Sequence, residues 1–202
     1  MTGGSHYKQM RGMLLASFGV IAMIVAASNL VGTVHAHQAR ARVEPTLENA
    51  FASIDLVSRI TRDFTRERML VDTHIVEKER TSMERIAAQV ADVAHDISTA
   101  AAAYQKLVMF ENEREVWRWA RADLDSLQQP IADVMELSLV NRDVEAERRM
   151  DVLDSRFVRV NAELGRLVEI NRVGGLQALG HANAMQRSAN LLGMALALLA
   201  IV

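Results

Sequence analysis

Residues 83–107 read MERIAAQVADVAHDISTAAAAYQKL. Met83, Ile86, Val90, Val93, Ile97, Ala100, Tyr104 and Leu107 follow one another at alternating steps of three and four. That spacing gathers them on one face of an α-helix and would scatter them over both faces of a strand. The pattern returns in Trp117, Ala120, Leu124, Leu127, Ile131, Val134 and Ser138. It returns again in Met150, Leu153, Phe157, Val160, Leu164, Leu167, Asn171, Gly174 and Ala178. Ahead of residue 83 it is looser, through Leu47, Ile54, Val57, Thr61, Phe64, Arg68, Val71 and Ile75. Four such stretches predict an all-α chain folded as an antiparallel four-helix bundle around a shared apolar seam.

Composition agrees. With 10 Gly and 2 Pro in 202 residues, and aromatic residues at 4%, the chain lacks the turn punctuation and aromatic content that sheets draw on. Cysteine is absent, which excludes a disulfide framework, a thiolate metal site and a cysteine nucleophile. The net charge of −2 comes from interspersed acids and bases, so no basic face is offered to nucleic acid.

The helix boundaries follow from local chemistry. Residues 72–80 form the first expected turn and 109–112 the second, with Asn112 and Glu115 offered as cap and partner of the third helix. Asn141, Arg142 and Asp143 make a tight third turn. Pro130 leaves the apolar seam in phase, which predicts a kink rather than a break. Pro45 suits a first-turn position or a small break.

The ends of the chain differ from its middle. Gly12 to Val34 carries no charged side chain. About 22 helical residues span ~33 Å, enough for a hydrocarbon core of ~30 Å. Lys8 and Arg11 precede this run and no acid appears until Glu44, which places the N-terminus in the cytoplasm. A competing reading is a cleaved signal peptide, with Val34-His35-Ala36 as the small-x-small site. A second apolar run opens at Leu191 and reaches Val202. Twelve residues cover only ~18 Å, so the expectation is a membrane helix cut short. The resulting division is a cytoplasmic tail at 1–11, a transmembrane helix at 12–34, an extracytoplasmic bundle at 35–187 and the start of a second transmembrane helix at 188–202. Helices one and four would then run on into the membrane, and unbroken helix transmits sliding or rotation. Gly174, Gly175, Ala178, Gly180, Ala182 and Ala184 make the fourth helix rich in small residues near that end. They permit either a sliding contact or simply tight packing.

This plan resembles the four-helix-bundle sensor domains of methyl-accepting chemotaxis receptors. The stretches 98–107 (STAAAAYQKL) and 167–172 (LVEINR) look like that family's second-helix and late fourth-helix patterns. Residues 66–75 (RERMLVDTHI) look more like the versions carried by membrane sensor histidine kinases. The resemblance spans residues 10–202 through degenerate helical patterns. It implies a homodimer in the inner (plasma) membrane with its sensor domain periplasmic. A small-molecule or protein stimulus would act through the bilayer on a cytoplasmic output domain and its signalling partners. Residues 66–75 favour a histidine kinase of a two-component system, and a methyl-accepting chemotaxis signalling domain is the other output. A membrane-tethered or secreted bundle that binds a partner protein is the alternative from another class.

Asp55, Arg59, Arg62 and Arg66 follow i, i+4, i+7, i+11 spacing on the first helix. In aspartate-sensing relatives, arginines of this helix hold a ligand carboxylate, which guanidinium forks suit. A solvated stripe is the plainer reading. Arg68 sits on the seam, where burial demands a carboxylate from a neighbouring helix. The candidate ligand-binding residues are therefore Arg59, Arg62, Arg66 and Arg68.

His95-Asp96-Ile97-Ser98-Thr99 superficially resembles a kinase phosphoacceptor box, but Ser98 and Ala100 replace its basic residue and proline. His35 and His37 lie two apart and point to different faces of a helix, and His74 and His181 stand alone. Trp117 and Trp119 read as a packed aromatic and a partly exposed neighbour. No catalytic residue, metal site or cofactor is expected.

Overall fold

The computed structural model describes residues 3–199; within its helices some side chains, those of 14–18 and 35–40 among them, fall outside the description. Four helices follow in order: α1 Gly3–Val76, α2 Arg80–Tyr104, α3 Glu111–Leu139 and α4 Asp143–Leu199. No strand occurs among the described residues. The chain divides into two compact units, one of residues Glu48–Gly175 and one of Met1–Leu47 with Leu176–Val202.

Within Glu48–Gly175 the four helices share one core. On α2, the expected positions from Met83 through Tyr104 are all buried, and Leu107 lies beyond the helix and is half-buried. On α3 all seven expected positions are buried, joined by Glu113, Val116 and Met135. On α4, Met150 through Gly174 are buried at every expected step. Burial of each large aliphatic or aromatic side chain stabilises the fold by about 1.5–3 kcal/mol.

The seam of α1 needs correction. Its buried positions are Ala50, Ser53, Val57, Ile60, Phe64, Glu67, Val71 and His74, with Ile75 beside them. Leu47, Ile54, Thr61 and Arg68 flank this stripe and are only half-buried. Every second step of the true seam (53, 60, 67, 74) is polar except Ile60, so a hydrophobic reading drifts to the neighbouring column.

The connections are short and individually pinned. Glu77 accepts from the amides of Lys78 (2.8 Å) and Glu79 (3.0 Å), and Lys78 is ion-paired to Asp143. Glu79 caps α2 by accepting from the amides of Thr81 (2.9 Å) and Ser82 (2.6 Å). Those two residues hold its carboxyl down at about 2. The second connection comprises 105–110, earlier than the expected 109–112. Its partner carboxylate is Glu113 rather than Glu115, accepting from the amide of Phe110 at 3.1 Å. In the third, Asn141 adopts φ 58°, the left-handed conformation that asparagine tolerates best after glycine.

Both prolines lie inside helices. At Pro130 the helix continues, as the phase of the seam predicts. At Pro45 it also continues, so the expected first-turn or break position is corrected to a helix interior.

The unit of Met1–Leu47 and Leu176–Val202 consists of the first part of α1 and the last part of α4. Large apolar side chains project to its surface along both: Met13, Val20, Met23 and Leu30 on α1, and Leu176, Met185, Leu191 and Met194 on α4. Among the described residues no helix is long and apolar enough to cross a membrane. The expected span at 12–34 includes side chains outside the described set, and residues 200–202 of the expected second span lie outside it altogether.

Candidate functional site

Asp55, Arg59, Arg62 and Arg66 are all exposed on α1. Helical spacing alone aligns them along α1. Arg62 lies 3.8 Å from the adjacent Asp63, whereas Arg59 and Arg66 make no hydrogen bond or ion pair among the described residues. Two guanidinium forks are thus open to solvent.

Arg68 behaves differently. It is half-buried, and its Nη2 donates to Oδ1 of Asp154 on α4 at 2.7 Å. Asp72 lies 3.9 Å away on its own helix. The guanidinium carbon stands 5.4 Å from the centre of the Phe157 ring, which stacks on Phe64 at 4.9 Å. The carboxylate that burial demanded is therefore Asp154, and a cation–π contact supports the pair. Burial raises the Asp72 carboxyl, with Arg68 opposing and Asp154 reinforcing the rise. Arg68 is engaged in joining α1 to α4, unlike the three arginines before it.

Beneath this surface α1 buries two ionisable groups. Glu67 is fully buried, and burial pushes its carboxyl up to about 7, partly offset by Gln128 of α3. Neither carboxyl oxygen reaches a hydrogen-bond partner of good geometry. Such a carboxyl is neutral below that value and titrates close to neutral pH. His74 lies within 2.9 Å of the Ser138 hydroxyl through Nδ1, and that hydroxyl donates to the His74 carbonyl at 3.0 Å. With its one proton so committed, Ser138 accepts from Nδ1–H, leaving Nε2 unprotonated and unpartnered. Burial lowers the imidazole, in keeping with this neutral tautomer.

A third polar centre closes the other end of the core. Glu113 accepts from Tyr104 Oη at 2.7 Å and Asn171 Nδ2 at 2.8 Å through one oxygen. Its other oxygen accepts from the amides of Met109 (2.9 Å) and Phe110 (3.1 Å). One buried carboxylate thereby ties α2, the 105–110 connection, α3 and α4 together. Trp117 packs edge-on to Tyr104 at 4.6 Å and donates to Gln105 at 2.6 Å. Burial, followed by the Glu113 carboxylate, raises the Tyr104 phenol far above its ordinary value, so it remains a donor. Asn171, expected either to fix register or to meet solvent, is fully buried here. Glu113 escaped sequence reasoning, although its place four residues before Trp117 put it in phase with the seam.

The remaining candidates are dispersed. His95 and Asp96 are exposed on α2, His181 is exposed on α4, and His35 and His37 lie outside the described side chains. Trp117 is buried while Trp119 is 43% exposed. Among the described residues no three His, Asp or Glu side chains are grouped to hold a metal ion.

The family model of the four-helix-bundle sensory module for signal transduction matches residues 8–185. The chain belongs to this family. Among curated proteins no match was found.

Proposed function

We propose that this module is the extracytoplasmic sensor of a two-pass receptor in the inner membrane, acting as a homodimer. Residues 12–34 and the segment from 188 onward enter the bilayer, and residues 48–175 receive the stimulus. Relative displacement of α1 and α4 carries it to a cytoplasmic output domain, a histidine kinase or else a methyl-accepting signalling domain. The observation that carries this reading is the outward display of Met13, Val20, Met23 and Leu30, 52–73% exposed, within a run free of charge. Large apolar side chains so arranged are costly in water and favourable in lipid. Family membership supports the signalling role. The open guanidinium groups of Arg59 and Arg66 suit a carboxylate or other anion, with Arg62 beside them, while Arg68 serves packing.

The absence of cysteine makes topology directly testable. Single-cysteine variants Thr2→Cys and Ser155→Cys are treated, in intact cells, with a membrane-impermeant maleimide. Labelling at 155 and protection at 2 is the expected result. Equal labelling at both positions overturns the two-pass arrangement.

A further inference from the structure

Where α3 meets the start of α4, a groove of about 540 Å³ opens on the surface of residues 48–175. Its volume falls within the range of small-molecule sites, roughly 300–1,000 Å³. Pro130 and Leu137 of α3 face Val152 and Leu153 of α4 across it, so the floor is apolar. Val152 is 75% exposed, an apolar surface left for an occupant to cover.

The rim is cationic. Arg142, Arg148 and Arg149 line the groove against one acid, Glu145. Arg142 is ion-paired to that glutamate, and Arg149 Nη1 lies 3.0 Å from Asp133. Arg148 makes no hydrogen bond or ion pair among the described residues, so its whole fork is open beside the apolar floor. A planar fork of this kind receives a carboxylate through two parallel hydrogen bonds. An adjoining hollow of about 280 Å³ is lined by Asp133 and Glu136 with Arg142 and Arg149, both arginines already ion-paired, so it offers no free cation for a second carboxylate.

We propose that this groove binds a small organic monocarboxylate with an apolar body. Arg148 receives the carboxylate, and Pro130, Leu137 and Val152 cover the body. The site is built on α3 and α4 rather than on the α1 arginines, and it rests on the sensor reading only for what occupancy reports, not for binding. Bridging two helices, the occupant stabilises the bundle by mass action.

The test titrates benzoate, acetate and benzyl alcohol into the full chain in detergent micelles by calorimetry, with the micelle blank subtracted. Benzoate is expected to bind saturably at one site, with acetate and benzyl alcohol each about tenfold weaker or worse, since each lacks half of the recognised chemistry. Arg148→Ala and Val152→Glu are both changes at exposed positions and should each weaken benzoate about tenfold. Arg118→Ala, at an exposed position of α3 about three turns from Pro130, should leave it unchanged. Absence of saturable heat, or benzoate binding indifferent to both groove variants, overturns the proposal. If benzoate binds as described but a receptor-output reporter in cells ignores it while following another stimulus, the groove stands and its link to sensing fails. A reporter that responds to benzoate equally in Arg148→Ala sinks the groove and spares the sensor.

Discussion

Arg156 of α4 donates from Nη2 to the main-chain oxygen of Ser126 on α3 at 3.2 Å, and also to the Ser126 hydroxyl. Ser126 stands four residues before Pro130, whose ring nitrogen carries no hydrogen for that carbonyl. The acceptor that proline leaves without its helical donor is thus supplied from the neighbouring helix. This is one reason why α3 runs unbroken from Glu111 to Leu139 despite a proline in its interior.

A double-mutant cycle tests the compensation. Arg156→Ala removes both bonds to Ser126 and, at this exposed position, should destabilise the fold by about 1–2 kcal/mol. In a Pro130→Ala background the amide of residue 130 engages the Ser126 carbonyl itself, and the same change should cost less, only what the bond to the Ser126 hydroxyl contributes. Denaturant midpoints of the four proteins measure the coupling. Equal costs of Arg156→Ala in the two backgrounds would show that the arginine does not answer for the proline.

Glu67 makes stability depend on pH. Its folded value of about 7 lies above its ordinary 4.5, so the folded state holds a proton that the unfolded state has released. Stability should therefore fall as pH rises from about 4.5 and level off above about 7, a loss on the order of 3 kcal/mol. His74 slopes the other way: lowered from its ordinary 6.5, it costs stability as pH falls below that value. Glu67→Gln, the neutral isostere of the protonated acid, should remove the loss between about pH 4.5 and 7 and leave the His74 slope. Urea unfolding from about pH 4 to 9 reads both; a loss over that window that persists in Glu67→Gln assigns it elsewhere.

Most of the bundle was legible because burial on α2, α3 and α4 follows apolar spacing almost residue for residue. The α1 seam was not, because Ser53, Glu67 and His74 occupy interior positions that hydropathy assigns to the surface. A seam containing polar residues is visible only once their partners are known, and Ser138, 64 residues away, is invisible in sequence order. Arg68 shows the converse. Its position near the seam implied a carboxylate from another helix, but nothing in the spacing could single out Asp154. The turn carboxylate was misplaced by two residues, to Glu115, since a cap pattern starting at Asn112 looks complete until Phe110 is seen to begin the helix.

The Glu113 centre should be among the most sensitive polar positions. Asn171→Ala removes one donor from a buried carboxylate and should cost about 1–3 kcal/mol, as should Tyr104→Phe. Glu113→Ala strands two main-chain amides and two side-chain donors at once, and should cost more than either. Chemical denaturation of the three variants checks the order. A Glu113→Ala protein as stable as the parent would mean that water replaces the carboxylate at no cost.

Gly174 and Gly165 both lie inside α4, yet alanine should act on them oppositely. Nothing lies within 4 Å of a Cβ built on Gly165, so Gly165→Ala should gain about 0.5–1 kcal/mol by helix propensity alone. A Cβ on Gly174 would instead meet the Phe110 ring, with Cε2 only 2.6 Å away. The ring ends a flexible side chain but closes over the connection that Glu113 holds, so displacing it should cancel the propensity gain and cost a further ~1 kcal/mol. In a Phe110→Ala background the obstacle is gone, and Gly174→Ala should become stabilising like Gly165→Ala. Thermal midpoints of the single and double variants decide the matter. If Gly174→Ala stabilises the parent as much as Gly165→Ala does, the ring does not need the glycine, and the close approach of α4 to the 105–110 connection is incidental to the fold.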